Sequence, residues 1–173
     1  MNKASLICIK NIHELDVSSE MQVEYAEWVK MRLAEVHACR LSSTNVNHFR
    51  NEVQSNFHLY SGHLGRFFVA VSESRAQGMA GLKYASKGVC ELKRLYVSPP
   101  YRRAGLARLL VERLIDEART LGYNRIRIET LDFMVEAIQL YESFGFLRTT
   151  EFDSSEGLGY GINGHEVYFS LDL

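Results

Sequence analysis

A short basic segment after two prolines is the part of this sequence best suited to bind an anion. It contains Arg102 and Arg103, followed by the small residues Ala104, Gly105 and Ala107. If a helix begins here, its first turn leaves backbone N–H groups without partners, and its dipole adds partial positive charge. Small residues let a ligand approach these groups, so the segment is suited to a pyrophosphate. The alternative is a strand-to-helix turn whose small residues serve packing and whose arginines are only solvated.

The flanking elements must position this turn. Residues 91–97 are apolar and aromatic enough for a buried strand, which Pro99 and Pro100 end because proline donates no ladder hydrogen bond. A helix is predicted from Ala104, because apolar residues recur on one face at helical spacing, and Gly122 stands where a helix commonly ends. The apolar residues of this helix are Leu106, Leu109, Leu110, Leu114, Ile115, Ala118 and Leu121.

Two leucines predict an irregularity in the central strand. Leu92 and Leu95 are three positions apart, so a regular strand would turn them to opposite faces. A β-bulge near Lys93 and Arg94 would place both leucines on one face. The alternative is a regular strand buried on both faces, which the charges at Glu91, Lys93 and Arg94 disfavour.

The remaining segments predict a mixed α/β sheet. The order is strand, two helices, three strands, helix, strand, helix and two strands, and the short connections of the three central strands predict an antiparallel meander. The polar segment 151–165 contains four glycines and predicts a loop. The other predicted elements are a strand at 6–9, helices at 20–39 and 44–60, strands at 66–72, 79–85 and 125–129, a helix at 133–144, and strands at 146–149 and 166–171.

Length and composition exclude several classes of protein. The 173 residues suit a single domain, 1–173, and a net charge of −1 argues against binding nucleic acid through bulk charge. No apolar run suits a signal peptide or a membrane span. The three cysteines lack metal-ligand spacing, so a cytoplasmic location is expected. The six histidines are scattered along the sequence, and no metal is expected.

Three blocks of sequence resemble the GNAT family of N-acetyltransferases. RRAGLA at 102–107 is similar to the signature with which that family grips the pyrophosphate of acetyl-CoA. ELKRLYVSP at 91–99 resembles the family's fourth strand, and AIQLYESFGF at 137–146 resembles its second conserved block. The blocks follow family order and spacing, and stand-alone bacterial members are the most similar. The resemblance implies the GNAT fold, a mixed and mostly antiparallel sheet flanked by helices, with the fourth strand splayed from the fifth.

The resemblance also implies where acetyl-CoA binds. Backbone groups of the fourth strand pair with pantetheine and polarise the thioester carbonyl, and Arg102 is a better candidate than Arg103 for a side-chain contact. Met134 stands where many members have an asparagine that bonds pantetheine. The implied cofactor-binding residues are Leu95, Tyr96, Val97, Arg102, Arg103, Ala104, Gly105, Leu106 and Ala107.

Two residues are the implied catalytic groups. Glu91 matches the position of a general base, acting directly or through a water; the alternative is a surface glutamate paired with Lys93 or an arginine. Tyr141 matches the tyrosine whose hydroxyl approaches the CoA sulfur as general acid; the alternative is a packing tyrosine on an amphipathic helix.

The resulting hypothesis is an acetyl-CoA-dependent N-acetyltransferase acting on the primary amine of a small molecule within a ternary complex. Such a transfer needs a neutral amine and a stabilised thioester oxygen, but no metal and no covalent intermediate. The alternatives are a protein N-terminal or lysine acetyltransferase and a non-catalytic acyl-CoA-binding module. A nucleotide-binding domain is disfavoured because its glycine-rich motifs are absent. The expected partners are acetyl-CoA and the amine, without nucleic acid or membrane; a homodimer paired through the C-terminal strand is compatible with the sequence.

Overall fold

The computed structural model describes residues 4–152 and 164–173. Within these ranges, four α-helices and seven strands follow one another in the predicted order. The helices are α1 (Ser19–His37), α2 (Ser43–Ser55), α3 (Leu106–Thr120) and α4 (Val135–Ser143). The strands are β1 (Ser5–Cys8), β2 (Arg66–Ser72), β3 (Arg75–Ser86), β4 (Val89–Val97), β5 (Arg125–Leu131), β6 (Leu147–Thr149) and β7 (Glu166–Asp172). Short 3-10 helices span Ile12–Ser18, Phe57–Tyr60 and Pro99–Tyr101.

The seven strands form one mixed sheet in the order β1-β2-β3-β4-β5-β7-β6. β4 and β5 are parallel, joined by a crossover through α3, and the other neighbouring pairs are antiparallel. The mixed, mostly antiparallel α/β sheet is therefore confirmed. β7 lies between β5 and β6, and β6 covers only Tyr168–Ser170 of its edge. The homodimer through this strand stays a prediction.

β4 carries the predicted bulge. Lys93 pairs with Gly81 of β3 and Tyr96 pairs with Met79, so β4 has one residue more than β3 over this interval. Arg94 has φ 58°, a left-handed conformation that is uncommon outside glycine. As a result, Leu92 and Leu95 both pack against the same part of the core.

Beyond Glu91, just before the bulge, β4 and β5 separate. They pair only where residues 89–91 lie beside residues 125–127. β4 nevertheless continues to Val97 beside β3, and β5 continues to Leu131 beside β7. A gap therefore opens between two strands that are each held on their other edge.

Helices cover both faces of the sheet because its strands alternate apolar side chains between the faces. On β2, Phe67 packs in the cluster that includes residues of α1 and α2, whereas Phe68 packs in the cluster that includes residues of α3 and α4. Across residues 4–152 and 164–173, the helices are too short or too polar to cross a lipid bilayer.

Several helix boundaries differ from prediction. α3 begins at Leu106 rather than Ala104, since Arg103 and Gly105 have φ of 61° and 80° and a right-handed helix does not include such residues. α2 ends at Ser55, and the 3-10 turn Phe57–Tyr60 follows it. Gly122 has φ 79°, as a helix end requires. Most of the predicted loop 151–165 lies outside the described residues.

A buried ion cluster attaches α2 to the bulge. Glu52 is 3% exposed, and its carboxylate accepts hydrogen bonds from the Tyr60 hydroxyl at 2.7 Å and from Lys83 Nζ at 2.7 Å. The guanidinium of Arg94, the bulge residue, lies 3.2 Å from the same carboxylate and 4.1 Å from the centre of the Phe49 ring. The conformation of β4 therefore depends on a charge carried by α2.

Replacing Glu52 with glutamine is expected to lower the free energy of unfolding by about 3 kcal/mol, because two buried cations would then face a neutral amide. Urea denaturation measures the loss. Glu35→Gln is the control, since it breaks an exposed pair with Arg32 at 2.8 Å and should cost less than about 1 kcal/mol. Equal losses in the two variants would show that the buried cluster stabilises the fold no more than a surface pair does.

Candidate active site

A cavity of about 470 Å³ opens beside the second half of β4, between α1 and the N-terminal ends of α3 and α4. Eight of the nine predicted cofactor-binding residues line it, and Ala104 of the turn does not. The eight are Leu95, Tyr96, Val97, Arg102, Arg103, Gly105, Leu106 and Ala107. The structure thus brings the central strand and the basic turn into one site.

The basic turn forms one end of the cavity. Arg103 and Gly105 both adopt left-handed conformations, and α3 begins at the next residue. A Cβ added at Gly105 would meet no atom within 4 Å, so no neighbouring group requires glycine there. The requirement is the positive φ of 80°, which turns the chain into the helix. The first N–H groups of α3 and two guanidinium groups therefore lie at the cavity end, an arrangement that favours an anion.

Arg102 contacts the protein rather than solvent alone. Its Nε donates a hydrogen bond to the Val97 carbonyl at 2.9 Å. Its guanidinium carbon lies 5.5 Å from the Trp28 ring centre and 5.6 Å from that of Tyr96, within range of cation–π attraction. The predicted anion-binding side chain therefore rests over aromatic rings between the turn and α1.

Aromatic side chains of α1 and β4 form one wall of the cavity. Tyr25 of α1 stacks on Tyr96 of β4 with ring centres 4.9 Å apart, and Trp28 lies 6.2 Å from Tyr96. The Tyr96 hydroxyl is buried and makes no hydrogen bond within the described part of the chain. Burial raises the pKa of Tyr96 to about 12, and the Glu24 carboxylate contributes in the same direction. Tyr96 therefore presents a neutral phenol at neutral pH.

Glu91 lies where β4 and β5 begin to separate. It is 3% exposed and is the last residue of β4 that pairs with β5, opposite Arg127. Its Oε2 lies 3.7 Å from Lys93 Nζ, which also lies 3.8 Å from a carboxylate oxygen of Glu129. Glu91 is therefore a buried, ion-paired carboxylate and not the surface residue of the alternative interpretation; it does not line the cavity.

Tyr141 lies in the core beneath the cavity-lining residues of α4. It is 4% exposed, with ring centres 6.0 Å from Phe146 and 6.2 Å from Phe169, while Ala137 and Leu140 of the same helix line the cavity. Burial raises the pKa of the Tyr141 hydroxyl, and Tyr25 raises it further. Tyr141 therefore stays protonated at neutral pH, as a proton donor must.

Tyr25 belongs to a core cluster and Trp28 packs against it, and both also line the cavity. Their helical spacing shows that they share an apolar face of α1. It does not show whether that face packs against the core or lines a cavity. Met134 also lines the cavity, where its sulfur accepts a hydrogen bond from Thr130 Oγ1 at 3.3 Å. Cys90 is fully buried in the core, and burial raises the pKa of its thiol.

Comparison with known proteins decides the family. The model of the Acetyltransferase (GNAT) family matches residues 32–146. The chain belongs to the GNAT acetyltransferase family. An uncharacterized N-acetyltransferase of Schizosaccharomyces pombe is 46% identical over 68 residues, which is 39% of this chain and 41% of that protein. The chain spans about two-fifths or less of the length of this protein and of two other curated relatives that it matches.

Solved structures share the GNAT fold at low sequence identity. An acetyltransferase from Streptococcus agalactiae superposes with a TM-score of 0.75 and 17% identity, covering 100% of both chains. The PaiA N-acetyltransferase from Thermoplasma acidophilum, in complex with coenzyme A, gives 0.71 and 18%, covering 98% of this chain and 99% of that one. The predicted fold, including the splayed pair β4 and β5, is therefore confirmed.

Proposed function

We propose that this protein is an N-acetyltransferase that moves the acetyl group of acetyl-CoA to the primary amine of a small molecule. The observation that carries the proposal is one cavity that joins the splayed end of β4 to the left-handed turn before α3. A thioester ligand needs both parts, since the turn suits its pyrophosphate and the unpaired edge of β4 suits its amide-rich arm. The coenzyme A bound to the Thermoplasma neighbour supports the same ligand here.

Arg102 is positioned for this ligand. Its guanidinium lies beside the turn, over the rings of Trp28 and Tyr96. A pyrophosphate at the turn attracts that charge far more strongly than a ring face does. Arg102 is therefore the proposed side-chain ligand of the pyrophosphate.

The proposed reaction is direct attack within the ternary complex. The amine nitrogen bonds to the thioester carbonyl carbon, the C–S bond breaks, the nitrogen loses one proton, and the CoA sulfur gains one. Backbone N–H groups near the bulge stabilise the negative carbonyl oxygen. Glu91 accepts the amine proton and Tyr141 supplies the sulfur proton, each through a water, since neither side chain lines the cavity.

Calorimetric titration tests the ligand first, with acetyl-CoA compared against CoA lacking its 3′-phosphate and against ATP. Binding of acetyl-CoA but not ATP supports the site, and no binding refutes it. Thiol release with a panel of small amines and of peptides then tests the acceptor. Turnover of peptides alone would replace the small-molecule proposal, and binding without any turnover would identify an acyl-CoA-binding module.

Glu91→Gln is expected to lower kcat about 100-fold while the Kd of acetyl-CoA is unchanged, because the amide accepts no proton. Steady-state rates and titration calorimetry measure the two quantities. Glu129→Gln is the matched control, since it removes a second carboxylate that faces Lys93. If both variants lose activity equally, the effect comes from Lys93, and Glu91 is not the base.

A further inference from the structure

Three metal-ligating side chains converge away from the cavity. His37 is the last residue of α1, Asp132 directly follows β5, and His165 directly precedes β7. His37 Nε2 lies 2.6 Å from one oxygen of Asp132, and His165 Nδ1 lies 3.8 Å from the other. The two imidazole rings stack with centres 3.7 Å apart. One possible ligand atom from each of the three residues lies within 4.8 Å of the other two.

The backbone already places two of these residues together. The Asp132 N–H donates a hydrogen bond to the His165 carbonyl at 2.9 Å. The Glu166 side chain accepts a hydrogen bond from the His165 N–H at 3.0 Å, so both backbone groups of His165 have partners. Because these main-chain contacts fix both residues, an ion at this place requires only side-chain rotation.

The donor set indicates which ions fit. Two imidazoles and one carboxylate suit zinc and similar divalent transition ions, which accept three protein ligands and complete their shell with water. Calcium and magnesium prefer oxygen ligands and do not match two nitrogens. The His37, Asp132 and His165 side chains are 16%, 42% and 30% exposed, so an ion and its water have access.

We propose that His37, Asp132 and His165 form a binding site for a divalent transition-metal ion such as zinc. The ligands are His37 Nε2, His165 Nδ1 and a carboxylate oxygen of Asp132. Ligand atoms about 2.1 Å from a tetrahedral zinc are about 3.4 Å apart. The 2.6 Å contact between His37 and Asp132 therefore opens on binding, and one of the nearly parallel rings turns so that both nitrogens point to the ion.

The site connects elements that surround the cavity. An ion there joins the C-terminal end of α1 to the ends of β5 and β7. The Phe133 ring lies 6.1 Å from His37 and 6.0 Å from Trp28, which lines the cavity. The ion therefore stabilises the protein and braces the α1 wall, whether or not acetyl transfer occurs.

The test uses the full chain without a polyhistidine tag, freed of metal by a chelator. Zinc chloride titrated in a calorimeter is expected to bind one ion per chain. Cobalt is expected to give the visible absorption bands of a tetrahedral site. His37→Ala and Asp132→Asn should each weaken zinc binding at least about tenfold. His63→Ala removes an exposed histidine of a turn and is the control.

Thermal unfolding checks that the variants are folded and adds a second readout. Zinc at a hundredfold excess over its Kd should raise the Tm of the parent protein by about 5 °C or more, and that of the folded variants much less. The proposal is overturned if zinc fails to bind, if His37→Ala and Asp132→Asn bind zinc as the parent does, or if magnesium binds as tightly as zinc.

Discussion

Replacing Gly105 with glutamate is expected to lower the affinity for acetyl-CoA at least about 100-fold. Two effects add at this position. Its φ of 80° strains any residue with a Cβ, and the new carboxylate lies at the cavity end where the pyrophosphate is proposed to bind. A Cβ there meets no atom within 4 Å, so the side chain extends without a clash inside the protein. Titration calorimetry measures the affinity.

Gly122→Glu is the matched control for this experiment. Gly122 has φ 79°, an added Cβ also meets nothing within 4 Å, and the residue lies just beyond the other end of α3. Both variants should lose about 1–2 kcal/mol of stability to backbone strain. Only Gly105→Glu should lose acetyl-CoA binding. If the two proteins bind acetyl-CoA equally, the turn before α3 does not hold the pyrophosphate.

Local patterns predicted most of the fold because the spacing of apolar residues shows which face of a helix or strand is buried. The spacing of Leu92 and Leu95 located the bulge, since two apolar residues of odd separation share a face only where a strand is irregular. The apolar stripe of α3 and Gly122 located that helix and its end. Helix starts were less predictable, because Arg103 adopts its left-handed conformation without a glycine to signal it.

Long-range convergence is what the sequence could not show. Glu52 and Lys83 lie on different elements, and their positions in the sequence do not indicate that they share a buried cluster with Arg94. The same holds for His37 and His165, which appeared scattered in the sequence and stack in the structure. The turn, by contrast, was predictable because its residues are contiguous and lie at a helix start.

The second large effect is expected at Tyr141. Tyr141→Phe should lower kcat about 100-fold and leave the Kd of acetyl-CoA unchanged, since only the proton donor is removed. Tyr123→Phe is the control, because Tyr123 is also buried in this core but donates its hydroxyl to the Leu64 carbonyl, away from the cavity. Single-turnover rates with a fixed amine compare the variants. Equal rates in Tyr141→Phe and the parent protein would show that Tyr141 only packs in the core and is not the proton donor.

The pH dependence separates the two roles of Tyr141 further. Because burial raises its pKa above the value of about 10 for an exposed tyrosine, the hydroxyl remains a donor throughout the neutral range. Its deprotonation therefore contributes no loss of kcat below about pH 10. Above that pH the unfolded chain releases this proton while the folded protein retains it, so stability falls as pH rises. In Tyr141→Phe the free energy of unfolding should fall less between pH 8 and 11 than in the parent protein. Urea denaturation at several pH values in this range measures the difference. This result does not depend on the rate of acetyl transfer.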